Sequence, residues 1–185
     1  MVSQEMKRLG TARSVIRELF EYGNARAAQV GREHVFDFSL GNPSVPAPPQ
    51  VREAAQALLA EDPAVLHGYT SAPGDGTARG MLAADLNRRF AAGARAEDLY
   101  LTAGAAAALC CVFRGLACPG DEFVTVAPYF PEYKVFIESA GAVMKTALPH
   151  PGTLQLDAAG LAAVVGPNTK AVVINSPNNP SGVVY

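Results

Sequence analysis

From Gly93 onward, short and nearly continuous apolar runs alternate with segments of helical length, and this alternation constrains the fold more than any other feature of the chain. The order is DLYLTAG, AAAALCCVFRGLA, EFVTVAP, a helix from about Pro131 to Ala140, AVMKTALP, a helix near Asp157 to Val165, and KAVVINSP. Strands that lack a polar face cannot lie against water, so these runs predict βαβ units and a parallel sheet buried on both faces. Right-handed crossovers then place helices on both sides. Strands are expected near Leu99, Phe123, Val143 and Val172. The last of them arrives only a few residues before Tyr185, so a further sheet neighbour and its covering helices are expected from outside these residues.

The upstream part is more helical. Val15, Ile16, Leu19 and Phe20 recur at helical spacing and predict an amphipathic helix over Thr11 to Val30. The stretch HVFDFSLGNPSVPAPP begins as a short strand and dissolves into prolines and a glycine, which predicts an extended loop. Helices follow at about Pro49 to Ala60 and Gly76 to Ala91, joined by the loop LHGYTSAPGDG. No internal repeat or low-complexity linker interrupts the chain.

Composition excludes several classes. With 49% apolar and 17% charged residues the chain is globular, and its 17 acidic and 15 basic residues are interspersed. No basic stripe is offered to nucleic acid or to an anionic membrane. The longest apolar stretches, Ala105 to Val112 and Ala158 to Val165, fall well short of the roughly 18 residues that cross a bilayer. The opening MVSQEMKRLG lacks the apolar core of a signal peptide, so a cytoplasmic location is expected. Cys110, Cys111 and Cys118 give an odd count without CxxC spacing, which argues against a disulfide framework or zinc site and predicts buried thiols. His34, His67 and His150 lack metal-ligand spacing. The segment GDGTARG is GxGxxxG after a loop, and so is not a dinucleotide fingerprint.

In an open α/β sheet, ligands sit outside the carboxyl ends of the strands. Three such ends carry unusual residues. In LTAGAAAAL a glycine-alanine run opens a helix, whose small residues and positive dipole end suit a phosphate; alone, this pattern is more often a tight turn. In VTVAPYFPEY the ring of Phe130 falls just beyond a strand, where it can stack on a planar heterocycle or simply close the core. In VVINSPNNPSG, Asn178 and Asn179 follow a strand among prolines that accept cis bonds, a turn able to aim an amide into a cleft.

The runs SLGNPSVPAPPQV, GYTSAPGDGTARGMLAADL, LTAGAAAAL, CPGDEFVTVAPYFPEY and NSPNNPSGVVY resemble, in this order and spacing, the class I/II aminotransferases of pyridoxal-phosphate (PLP) fold type I. The resemblance covers nearly the whole chain, and its most specific segment is Asn-Asn-Pro-Ser-Gly. It implies an α/β PLP-dependent transferase fold: residues 1–45 would belong to the small domain, and residues 46–185 to the first part of a large domain with a mixed, mostly parallel sheet flanked by helices. It implies pyridoxal 5'-phosphate as cofactor, an amino acid and a 2-oxo acid as substrates, and a homodimer with shared active sites.

Position by position, the resemblance assigns Gly41 to the substrate carboxylate and Tyr69 to the cofactor phosphate of the neighbouring subunit. Gly104, Ala105 and Ala106 fall where the phosphate-cradling amides lie, Phe130 where an aromatic stacks on the pyridine ring, and Asn179 where an asparagine meets the phenolic oxygen and the substrate. The family's aspartate for the pyridine nitrogen, its Schiff-base lysine and two arginines have no counterpart before Tyr185. Of the four lysines, Lys7, Lys134, Lys145 and Lys170, the last stands closest to the Asn-Pro motif, but it opens the strand that Asn175 closes. About 3.3 Å per residue puts Lys170 at the wrong edge of the sheet, and Lys134 and Lys145 are expected in solvent. The chain is therefore expected to be the front portion of an aminotransferase, inactive without the remainder of the enzyme. Two other readings stay open: a C–S lyase of the same fold, and a fragment with no activity.

Overall fold

A computed structural model describes residues 2–11, 15–41, 43 and 45–185. Asn42 and Ser44 of the Gly-Asn-Pro-Ser run, and residues 12–14 of the expected first helix, lie outside the described residues. The chain divides into two compact units, Met1–Thr70 and Ser71–Tyr185.

The first unit is helical: α1 (Gln4–Thr11), α2 (Val15–Val30), α3 (Pro49–Leu59) and α4 (Pro63–Leu66). Both α3 and α4 carry proline at the start of the helix, where its fixed φ suits a helix and its missing N–H costs nothing. Asp62 caps α4 by accepting from the Ala64 amide at 2.9 Å. The expected strand near His34 does not form. Arg32–His34 make a 3-10 turn, and Val35 is extended (φ −122°, ψ 114°) with no sheet partner among the described residues. This segment instead lies against α2 at Gly23, where a Cβ would stand 3.1 Å from the Asp37 carboxylate.

The second unit holds α5 (Gly76–Phe90), α6 (Ala105–Leu116), β1 (Glu122–Val126), α7 (Glu132–Ser139), β2 (Val143–Ala147), α8 (Ala158–Val164) and β3 (Thr169–Val173). Its sheet is parallel in the order β2-β1-β3. Glu122 aligns with Val143 and with Thr169, and the β1/β3 register slips by one residue at Phe123. The strands near Phe123, Val143 and Val172 thus form as the apolar runs predict. The run near Leu99 does not join them. Leu99 is extended, but the Leu101 amide donates to the Pro73 carbonyl at 2.9 Å instead of to a strand. That approach is close: Gly74 has φ +100°, and a Cβ there would meet Leu101 at 2.9 Å.

Burial on both faces holds only for the central strand. In β1 Phe123, Val124 and Thr125 are completely buried, whereas β3 alternates between half-buried and exposed residues and β2 does so as far as its buried last residue, Ala147. The core gathers Phe113 of α6, Phe123 of β1, Tyr133 and Ile137 of α7, and Ala142. The rings of Phe113 and Phe123 meet edge to face at 5.1 Å. Burying a side chain of this size contributes roughly 2–3 kcal/mol, so the α6–β1–α7 seam anchors the unit. Cys110, Cys111 and Cys118 are exposed, contrary to the expected buried thiols. α6 is apolar on more than one face, and the face bearing Phe113 takes the sheet. Among the described residues no helix is long and apolar enough to cross a membrane.

Candidate functional site

The carboxyl edge of the sheet is built by three chain segments. The first is the exit of β1. After Val126 the chain passes a cis Ala127–Pro128 bond, then Tyr129 and Phe130, and enters α7 through Pro131. Phe130 is half-buried and packs against the core, and its ring meets Tyr133 edge to face at 5.5 Å. Its carbonyl accepts from the Tyr133 amide at 3.1 Å, which fixes it at the mouth of the helix. Both uses of this ring are therefore compatible: one side closes the core, and the rest stays open.

The second segment is the turn after β3. The Asn175 side chain accepts from the Asn179 amide at 2.8 Å, and Gly182, at φ +73°, donates to the Asn178 carbonyl at 2.7 Å. The Ser176–Pro177 and Asn179–Pro180 bonds are cis. The two asparagines in the middle behave differently. Asn178 is buried and its amide nitrogen is consumed by protein partners, Pro128 and Ser181. Asn179 is exposed, and among the described residues its side-chain amide has no hydrogen-bond partner.

The third segment is the start of α6. Gly104 caps the helix with φ +88°, a backbone conformation that glycine adopts freely, and a Cβ there would meet nothing within 4 Å. Thr102 Oγ1 donates to the Gly104 carbonyl at 2.9 Å and steadies the turn. The first carbonyl of the helix accepts from Ala108, which leaves the amides of Ala105, Ala106 and Ala107 without a partner inside the helix. A tight turn at Cys118–Asp121 joins the end of α6 to the start of β1, and Phe113 packs on Phe123. α6 therefore runs back antiparallel to β1, which directs its N-terminus toward the carboxyl edge of the sheet.

Gly41 and Tyr69 belong to the first unit. Both are exposed, Tyr69 fully so. Lys170 lies at the opposite, amino edge of the sheet, where its ammonium stands 3.5 Å from Asp121. Lys145 pairs with Glu122 at 2.9 Å and Lys134 with Glu138 at 3.9 Å, both with about half of the side chain exposed. Sequence reasoning gave no role to Thr102, Asn175 or Asn178. Their small polar side chains in the same short runs were the available signal, but their partners are set by the fold.

Comparison with known proteins identifies the family. The profile described as "Aminotransferase class I and II" matches residues 33–185. An aspartate/prephenate aminotransferase of Thermus thermophilus is 33% identical over 166 residues, covering 88% of this chain and 42% of that protein. An arginine–pyruvate transaminase of Pseudomonas aeruginosa is 32% identical over 152 residues, covering 81% of this chain and 38% of its own length. The crystal structure of an aminotransferase from Eubacterium rectale superposes with a TM-score of 0.94 at 49% identity, covering all of this chain and 47% of that one. The chain thus spans somewhat under half the length of the relatives that it matches. Matched by the profile over most of its length and by relatives at about one third identity, the chain belongs to the class I and II aminotransferases.

Proposed function

We propose that these residues are the front portion of an aminotransferase that moves an amino group from an amino acid to a 2-oxo acid, and that the carboxyl edge of the sheet holds pyridoxal 5'-phosphate. One observation carries the reading. Unpartnered helix amides, a half-open aromatic ring and a free asparagine amide are set out along one sheet edge, and these are the groups that a phosphate, a flat pyridine ring and a phenolic oxygen require. The class I and II aminotransferases depend on this cofactor, and the donor set fits it.

In this reading the amides of Ala105 and Ala106 receive the phosphate beside Gly104, where the absence of a side chain keeps the approach open. The positive end of the α6 dipole adds to the attraction. Phe130 supports the ring face, and the side chain of Asn179 donates to the phenolic oxygen and orients the substrate. Gly41 offers its backbone to the substrate carboxylate, and Tyr69 serves the phosphate site of a second copy in a homodimer. Residues 1–45 open the small domain, and 46–185 form the first part of the large one. When bound, the cofactor supplies an electron sink for the bonds at the substrate's α-carbon. Free, exposed cysteines suit a reducing cytoplasm.

The family's lysine has no equivalent along this edge. Lys170 is held at the amino edge, and Lys134 and Lys145 sit in surface ion pairs. The 185-residue chain alone is therefore expected to give no transamination with cofactor, amino donor and 2-oxo acid. Activity should appear when the polypeptide corresponding to the rest of its relatives' length is supplied. Turnover above a no-protein control, with one lysine labelled stoichiometrically after borohydride reduction, would overturn this. The relatives' names range from aspartate/prephenate to arginine–pyruvate at similar identity, so selectivity for the amino donor is expected to reside outside this half.

A further inference from the structure

Two loops that lie fifty residues apart in sequence meet at one side chain. Asn178 is 7% exposed, and its Nδ2 donates to the Pro128 carbonyl at 2.9 Å and to Ser181 Oγ at 2.8 Å. Both amide hydrogens are thus engaged. Its backbone is fixed too: the Asn178 amide donates to the Val183 carbonyl at 2.8 Å, and its carbonyl accepts from Gly182 at 2.7 Å. Among the described residues no other hydrogen bond joins the β1 exit to the turn after β3.

What each loop carries gives the bond its meaning. Pro128 stands two residues before Phe130, and Asn178 immediately precedes Asn179. We propose that Asn178 is a positioning residue for the cofactor: by tying Pro128 to the Asn-Pro turn, it fixes the ring of Phe130 relative to the free amide of Asn179. This rests on the reading of Phe130 and Asn179 as cofactor residues. A flat ring stacked in offset geometry while accepting a hydrogen bond at its rim meets both groups only if their separation is held to a fraction of an ångström. Asparagine suits the task because it is uncharged, and so can be buried, and because one nitrogen supplies two donors that diverge toward the two loops. Aspartate would turn an acceptor toward the Pro128 carbonyl, and leucine would leave that carbonyl unpartnered.

The test uses the full 185-residue chain and pyridoxamine 5'-phosphate, which lacks the aldehyde and so does not react with surface lysines. In Asn178→Asp, exchange of the hydrogen-bonded loop amides at Tyr133 and at Asn179, Gly182 and Val183 should rise, while the β1 amides Phe123–Val126 stay protected. Affinity for the ligand should fall by about tenfold, the ordinary consequence of losing a buried hydrogen bond to an uncompensated acceptor. Asn178→His, whose Nδ1–H takes the place of the asparagine nitrogen, should recover most of that loss. If Asn178→Asp also loses protection in β1, Asn178→Ser, uncharged but too short to reach Pro128, carries the same comparison. Unchanged exchange in both loops would overturn the proposal. So would raised exchange with unchanged affinity, provided that Phe130→Ala and Asn179→Ala each weaken binding. If neither of those two variants weakens it, the site reading itself has failed and the proposal falls with it; that outcome is distinct from failure of the clamp alone.

Discussion

Asn178 and Asn179 are the same residue type, adjacent in sequence, and the fold gives them opposite tasks. Burial and two protein acceptors commit Asn178 to structure, and exposure leaves the side-chain amide of Asn179 free for the proposed ligand. Asn179→Ala should therefore weaken pyridoxamine 5'-phosphate binding by about 1–3 kcal/mol while leaving the thermal midpoint unchanged. Equal loss of stability and affinity would contradict that separation. The family resemblance singles out Asn179 by its place in the motif, but nothing local reveals what Asn178 does, because its deciding acceptor, the Pro128 carbonyl, lies fifty residues away. A second residue-level expectation concerns Tyr133, whose phenol burial pushes above its ordinary value of 10.0. The unfolded chain ionises first, so this stabilisation is complete below pH 10 and is lost as pH rises through the higher folded value. Denaturant titrations at stepped pH should show stability falling above pH 10, and Tyr133→Phe should flatten that fall.

Elements were legible where an apolar run coincided with a pairing partner. The strands at Phe123, Val143 and Val172 and helices α3, α5, α6, α7 and α8 lie within a residue or two of their sequence readings. The runs at Val35 and Leu99 are also apolar, but among the described residues no strand lies beside them, and they stay extended outside the sheet. In these two runs the apolar pattern reports neither a ladder nor cover, since Phe36, Phe38 and Tyr100 stay exposed. The cysteines show the converse, since a residue type usually found inside lies here on the outer faces of α6 and its following turn. The start of α6 yields a sharper expectation. Gly104→Ala meets no steric clash, yet it forces a side chain into φ +88°, at a cost of about 1–3 kcal/mol. The thermal midpoint should fall and ligand affinity with it, because the turn would relax away from the geometry that presents the Ala105 and Ala106 amides. An unchanged midpoint would show that the turn is not strained.

At the scale of the whole molecule, residues named in the proposed function occur in each unit: Gly104, Phe130 and Asn179 in the second, and Gly41 and the fully exposed Tyr69 in the first. In the enzyme complemented with the rest of its relatives' length, Tyr69→Phe should loosen cofactor phosphate binding by roughly 1.5–3 kcal/mol, as expected for one lost hydrogen bond to a charged group, without dissociating the proposed homodimer. Equilibrium dialysis and analytical ultracentrifugation would check the two halves of that statement. Cofactor affinity equal to the parent's would remove Tyr69 from the site.

The strand order also sets a schedule. β3 pairs with β1, not with β2, so the central strand has one open flank until residues 148–168 have been made and the last strand has emerged. During synthesis a nascent β1–α7–β2 unit therefore presents a row of bare amides and carbonyls along β1, the most buried of the described strands. That interval is when the chain is most open to pairing with a neighbour on the same polysome, and when a chaperone that shields strand edges would have most effect on yield.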